Sequence, residues 1–401
     1  MSKGVTAVNA EGRRRRAAAT ERAHRVGGPR PDRVAILHLG THKTGSSAIQ
    51  EALAGYADDR VEYLDLGAQP NHSRLLSRAF DAQAVPRNFA SPDREAWPAE
   101  RQAAREALDA ALDATDRSVL LSGEHLWSFR DKNSHRRCVT FLRRHVGRIE
   151  ALAYIRPPAS FAQSAFQERV RRGFARFDLP ALVPRYREPG QSWIAALDGA
   201  EPAFALFHPT ALRDGDVVKD LVARLDLDAA RVRDLGGPAN ASLSAEAAAV
   251  LFLWRRAVGP APVHGPGRHV NSQLTGLLRG FGTRRFAFAP EALAPILAER
   301  ASDIAWMEER LGAAFPPATP AEGAVIFASE ADILSYARSL GPSLADFAEA
   351  RGLAVAAAGR STGALLELIR DRIEADLARS PRRKALGRLA RPLFGRKAQS
   401  Q

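Results

Sequence analysis

LHLGTHKTGSSAIQEAL, residues 37–53, runs from an apolar stretch through a glycine-flanked turn into helical spacing. Nucleotide-hydrolysing loops read G-x-x-x-x-G-K-[ST], with lysine directly after the second glycine. Gly40 and Gly45 keep that glycine spacing and Ser47 keeps the hydroxyl, but Ser46 fills the lysine position and the nearby lysine is Lys43. A turn that leaves a strand and opens a helix presents backbone N–H groups and the positive end of the helix dipole, which together attract an anion. Lys43, Thr44, Ser46 and Ser47 add a cation and three hydroxyls around the same turn. The competing reading is a plain strand-to-helix turn that uses glycine for backbone reasons alone.

Outward from this loop the chain alternates strand and helix. RVAILHL is a short apolar run of strand-forming residues, and SSAIQEALAGY follows as a helix ending near Gly55. VEYLDLG, SVLLSGE, IEALAYIR and FALFHP read as further strands, with helical spacing over 98–115, 133–147 and 214–225. PPASFAQSAFQERVRRG starts with proline in the first helical turn and ends at Gly173, marking both ends of a helix. Such alternation predicts a largely parallel sheet covered by helices on both faces. Beyond Asn240 the strand signals fade: 243–257, 290–312 and 363–378 look helical, and the Gly- and Pro-rich region 258–290 is expected to be irregular. No internal repeat is visible.

The chain has 401 residues, 45% of them apolar, enough to bury a core. No apolar run is long enough to cross a membrane, and the N-terminus lacks a signal-peptide pattern. The single cysteine, Cys138, rules out an internal disulfide and fits a reducing cytoplasm. The net charge of +13 is concentrated at the ends. Residues 1–33 carry nine Lys/Arg against three acids, and residues 380–401 carry seven against none, so 34–379 is formally neutral. That distribution speaks against a specific nucleic-acid surface on the body. Residues 1–32 and 380–401 are expected to be disordered basic tails, with 33–379 forming the α/β domain and its helical C-terminal part from about 243. The segment KALGRLARPLF suggests peripheral contact of the last tail with anionic lipid, which would put the protein at the inner membrane face.

The displaced lysine gives the strongest resemblance. THKTGSS resembles the 5′-phosphosulfate loop of sulfotransferases that use 3′-phosphoadenosine 5′-phosphosulfate (PAPS). It is especially similar to the bacterial carbohydrate type, in which a strand leads into T-x-K-T-G-T-T and a helix containing I-Q. Ser46 and Ser47 stand where threonines are commoner and keep both hydroxyls. The family also places an arginine at a later strand end and a serine eight residues on, both on the cofactor's 3′-phosphate; here these are Arg156 and Ser164. FHPTALRDGDVVKDLVARLDLD and NASLSAEA match the family's later elements more loosely, with Asn240 and Ser242 in a turn.

The resemblance implies a three-layer P-loop-type α/β fold with a helix-rich C-terminal half. It further implies that Thr41, His42, Lys43, Thr44, Gly45, Ser46, Ser47, Arg156 and Ser164 hold PAPS. Transfer of the sulfuryl group to a hydroxyl, by default on a carbohydrate or glycolipid, would run in line and without a metal. A base at the mouth of the sheet must take the acceptor's proton. Glu124 of SGEHLW is the expected base, with His125 behind it and a desolvation-raised pKa if the role is right. Lys43 would neutralise charge developing on the bridging oxygen. Two alternatives stand beside this reading: a Mg-dependent P-loop kinase, against which the lysine position and the missing metal aspartate count, and a non-catalytic relative that binds a nucleotide or glycan. The arginines at 169, 171, 172 and 176 either meet an acidic ligand or simply end a helix.

Overall fold

The computed structural model describes residues 30–67, 69–84, 95–129, 131–235, 242–260, 266–353 and 360–379. The expected basic tails lie outside the described residues except for Arg30, Pro31 and Asp32, and Asn240 lies outside them too. Two compact units divide the chain. The first combines the residues up to Phe161 with 183–241 and 297–317; the second takes 162–182, 242–296 and everything from 318 on.

The first unit is built on one sheet: β1 (Arg30–Leu39), β2 (Val61–Tyr63), β3 (Ser118–Gly123), β4 (Val146–Ile155) and β5 (Ala203–Leu206). The order is β2-β3-β1-β4-β5 and every neighbouring pair is parallel. Between and after the strands come α1 (Ser46–Leu53), α2 (Ser73–Phe80), α3 (Trp97–Asp113), α4 (Glu124–Trp127) and α5 (Lys132–Leu142). They are followed by α6 (Pro158–Arg172), of which the first unit holds the part up to Phe161, and by α7 (Arg187–Ala196) and α8 (Val217–Arg224). This is the parallel sheet covered by helices that the alternation predicts, in the three-layer P-loop-type α/β arrangement that the resemblance implies.

Both sheet faces are buried, which is why β1 reads as a continuous apolar run. Ala35, Leu37 and Leu39 face a core shared with Leu76 and Phe80 of α2, Leu108 and Leu112 of α3, Leu142 of α5 and Trp193 of α7. Ile36 faces the opposite core with Ile49 and Leu53 of α1, Tyr154 of β4 and Leu221 of α8. Each such fully buried large apolar side chain contributes about 1.5–3 kcal/mol.

Chain order places the functional end. From β1 the connection runs toward β3 and β2, whereas from β4 it runs toward β5. Adjacent parallel strands whose connections diverge leave a crevice at their carboxyl ends, where ligands bind in sheets of this kind. Here those strands are β1 and β4, and they deliver Thr41–Ser47 and Arg156 to one place.

Several boundaries differ from expectation. First, β1 begins at Arg30, so part of the terminal basicity is folded: Arg30 pairs with Asp116 and bonds the Thr115 carbonyl oxygen at 3.0 Å, while Arg33 is buried and its Nε bonds the Arg117 carbonyl oxygen at 2.6 Å. Second, β3 stops at Gly123, and Glu124 opens the single-turn α4 instead of continuing the strand. Third, 258–290 is not irregular throughout: it holds a helix, Pro266–Leu278, and a strand, Phe286–Phe288. Glycine and proline suggested a loop, but Pro266 is the first residue of that helix, where its missing N–H costs nothing. Fourth, 290–312 is two helices, Pro290–Glu299 and Ala301–Leu311.

The second unit is mostly helical. Its strand Phe286–Phe288 pairs in parallel with Val325–Phe327. Phe166, Phe252, Phe286 and Phe288 form its aromatic centre, with ring centroids 5.2–5.5 Å from Phe166 to the other three and 5.0 Å between Phe286 and Phe288. Ser244 caps the helix Ala245–Val258 by accepting from the Ala247 N–H at 2.9 Å.

Candidate functional site

The loop after β1 is shaped by two left-handed residues, Lys43 at φ 68° and Gly45 at φ 75°. Glycine suits the second, since a Cβ there would come within 2.8 Å of Val217. For lysine the left-handed region is uncommon and costs energy, of a kind often found at ligand sites. Gly45 precedes α1 without any side-chain cap, so nothing of the loop's own closes the helix start. Gly40 serves close approach instead. A Cβ there would lie 2.9 Å from both Glu124 Cα and Ser46 Oγ, so its bareness lets the loop pass close to the end of β3.

The four hydroxyls of the loop divide. Thr41 donates to the Tyr154 carbonyl oxygen of β4, and Thr44 donates to the Thr41 carbonyl oxygen at 2.7 Å. Both are buried, so these threonine hydroxyls build the loop. Ser46 Oγ is buried with no partner among the described residues, while Ser47 is half-buried. An orphaned buried hydroxyl carries a desolvation cost that a ligand oxygen would relieve.

Arg156 leaves the end of β4 and reaches across to the loop. Its Nη1 donates to the Lys43 carbonyl oxygen at 2.8 Å and its Nε to Ser160 Oγ at 3.2 Å. Tyr186 braces the same residue from behind, donating its hydroxyl to the Arg156 carbonyl oxygen at 2.7 Å. Burial pushes the guanidinium pKa down to about 10. Every hydrogen-bond partner is neutral, and among the described residues no carboxylate pairs with it. Ser164, the serine expected to join Arg156, lies further along α6, buried in the second unit. The serine that Arg156 meets is Ser160.

At the end of β3, His42 Nδ1 stands 3.8 Å from Glu124 Oε2, with the imidazole 44% exposed and the carboxylate 25%. His125, exposed on α4, has Nδ1 3.2 Å from Ser77 Oγ, and its ring centroid lies 6.3 Å from that of His42. Beneath them a buried polar network ties the strand ends together. His38 Nδ1 is 2.8 Å from Ser122 Oγ, which also accepts from Gln50 Nε2 at 3.2 Å. His72 Nδ1 accepts the Ser122 N–H at 3.1 Å. Burial pushes both histidines down to about 4, which keeps them neutral.

A cavity of about 370 Å³ opens beside the loop, lined in part by Thr41, His42 and Arg156. Glu124 and His125 are not among its lining residues. Of the other arginines singled out in the sequence, Arg169 donates to the Ala181 carbonyl oxygen at 2.7 Å. Arg171 and Arg172 both pair with Glu168, and Arg176 pairs with Asp178 at 3.2 Å. Ser242 is exposed. Cys138 is buried, its thiol pushed up to about 12, and therefore inert. Among the described residues no three His, Cys, Asp or Glu side chains group as a metal site, and no helix is long and apolar enough to cross a membrane.

Sequence reasoning missed Tyr154, Ser160 and Tyr186. The first two flank Arg156 in AYIRPPAS, so their positions were marked; Tyr186 sits thirty residues later and carries no such signal.

No family model matches the chain, and no curated protein does either. Among solved structures, the chain is similar to a sulfotransferase from Alicyclobacillus acidocaldarius at 13% identity and a TM-score of 0.38, over 71% of this chain and 97% of that one. It is also similar to the sulfotransferase domain from the curacin biosynthetic pathway at 12% identity and a TM-score of 0.29, over 50% and 75% respectively. Likeness of that extent is too slight to assign an activity.

Proposed function

We propose that this protein transfers a sulfuryl group from PAPS to an acceptor hydroxyl. The observation that carries the reading is Arg156, a half-buried cation with only neutral partners, clasped to the loop whose lysine is displaced to position 43. A desolvated, unneutralised guanidinium beside an uncapped helix start is a site suited to a phosphate-like anion. The residues fit that donor: Ser46 Oγ is orphaned and Gly45 leaves the helix start open.

When bound, PAPS supplies a sulfuryl group on a phosphate that leaves readily. The chain's own groups do the rest. Loop amides, Lys43, Ser46 and Ser47 hold the 5′ end, and Lys43 balances the charge that grows on the departing oxygen. Arg156 with Ser160 holds the 3′-phosphate. The His42–Glu124 pair receives the acceptor's hydroxyl proton, with His42 facing the cavity and Glu124 stabilising the imidazolium that results. Transfer of this type needs mainly positioning and electrostatics.

The test is calorimetric titration with 3′,5′-ADP in the absence of metal, alongside ATP with magnesium. Binding of 3′,5′-ADP that Arg156→Ala weakens supports the reading. Magnesium-dependent ATP binding with indifference to 3′,5′-ADP would replace it with a kinase. Binding of neither would leave a non-catalytic relative.

A further inference from the structure

A second concavity, of about 580 Å³, adjoins the one beside His42 and shares Arg185, Glu188 and Ser192 with it. Four arginines border it: Arg136 on α5, Arg185 just before α7, Arg187 at the start of α7, and Arg300 immediately before the helix Ala301–Leu311. All four belong to the first unit. Arg300 is half-buried and the other three are exposed. Arginines of the same helices that do not line the concavity are paired, Arg137 with Asp131 and Arg310 with Glu201. Among the described residues none of the four forms an ion pair, and Arg187 Nη2 donates to a neutral partner, the Ser302 carbonyl oxygen, at 3.1 Å.

Two carboxylates, Glu188 and Asp303, also line the concavity. Asp303 is engaged: it accepts from the Tyr186 N–H at 3.0 Å and the Arg187 N–H at 2.9 Å, and so holds the start of α7. Four arginines against two carboxylates leave a formal charge of +2. Like charges round a concave surface repel one another and focus a positive potential into it. An anion relieves that repulsion, and the planar guanidinium fork matches the oxygens of a phosphate. A phosphate monoester carries about −1.5 to −2 at pH 7, close to the charge needed, whereas a sulfate ester or a carboxylate carries a single charge. The volume is within the range of small-molecule sites and larger than a phosphate group alone requires. Asn133 and Gln191 add amide donors and acceptors to the lining, which suit a polar body.

We infer that this concavity is a second anion site and that it takes a phosphate monoester with a polar body, such as a sugar phosphate. The four arginines hold the phosphate, and Asn133 and Gln191 serve the hydroxyls of the body. The site is separate from the loop after β1, since neither Thr41–Ser47 nor Arg156 lines it. It stands on these residues alone and does not depend on the proposed transfer.

Calorimetric titration of the full chain with glucose 6-phosphate and with glucose tests this. Saturable binding of the phosphate ester is expected, with none for glucose at the same concentrations. Arg136→Ala and Arg300→Ala should each weaken glucose 6-phosphate by about tenfold, the loss of one hydrogen-bonded charge, while Arg156→Ala should leave it unaffected. Should Arg300→Ala not fold, Gln191→Glu sets a like charge at an exposed position of the lining, keeps the side chain's shape, and should weaken binding by a similar factor. Absence of glucose 6-phosphate binding overturns the inference, as does equal binding of glucose. So does binding that Arg136→Ala and Gln191→Glu leave unchanged, or that Arg156→Ala abolishes, since the ester would then sit at the loop.

Discussion

His42 Nδ1 lies 3.8 Å from Glu124 Oε2, which joins the second residue of the loop motif to the first residue beyond β3. The more exposed imidazole lines the cavity and the carboxylate stands behind it, so the two should act as one proton-accepting unit. Glu124→Gln and His42→Ala should each lower single-turnover sulfuryl transfer by about 10²–10⁴-fold while 3′,5′-ADP affinity is kept. Residues acting as a unit are not additive. The double variant should therefore be little worse than the worse single one, and losses that multiply would show two independent roles.

On the proposed reading, Arg156 should contribute to binding more than to stability. Arg156→Ala should weaken 3′,5′-ADP by about tenfold to a hundredfold, the range for a hydrogen-bonded charge. Arg156→Lys should recover only part, because a point charge cannot bridge the Lys43 carbonyl and Ser160 as the fork does. The melting temperature of Arg156→Ala should hold or rise, since an unneutralised half-buried cation is removed. A large drop would mean that the clasp itself holds the fold.

Lys43 can be separated into backbone and charge. Its φ of 68° is strained for lysine and for alanine but free for glycine. Lys43→Gly should be more stable than Lys43→Ala by ~1 kcal/mol in urea unfolding, although both lose the cation and both lose transfer activity. Equal stabilities would mean that the loop relaxes once the side chain is gone.

Acid should destabilise the protein through its buried histidines. His38 and His72 ionise near 4 in the fold because burial opposes their charge, while the unfolded chain takes up those protons near 6.5. The folded pKa is depressed, so stability is complete above about 6.5 and falls as pH drops toward 4. The gap corresponds to ~3 kcal/mol for each histidine. Thermal melts between pH 7 and 5 should show the fall, and His38→Asn with His72→Asn should flatten it.

Much of this was legible in the chain, for physical reasons that can be named. A parallel sheet buried on both faces writes itself as apolar runs, so β1, β3 and β4 stood out in the sequence. The loop was legible because close backbone approach demands Gly40 and a left-handed turn demands Gly45. Other features were hidden. Thr44 looked like a ligand hydroxyl, but its proton serves the loop's own carbonyl, a choice between local and ligand bonding that composition does not reveal. Nothing near His42 marks its approach to a carboxylate, because Glu124 lies 82 positions away. Of the arginines at 169, 171, 172 and 176, the last three carried an apparent excess of charge that Glu168 and Asp178 absorb, while Arg169 donates to the Ala181 carbonyl oxygen. The helix Pro266–Leu278 was masked by a proline that in fact starts it.

The clasp between Lys43 and Arg156 spans 113 positions, as does that between Thr41 and Tyr154. During synthesis at ~5–20 residues per second, the loop motif exists for roughly 6–23 s before the arginine that clasps it has been made. A nascent chain halted in that interval carries every residue of the motif without the grip. The anion site proposed here would thus be a product of β4 docking beside β1, a long-range event that sets its moment of appearance late in folding.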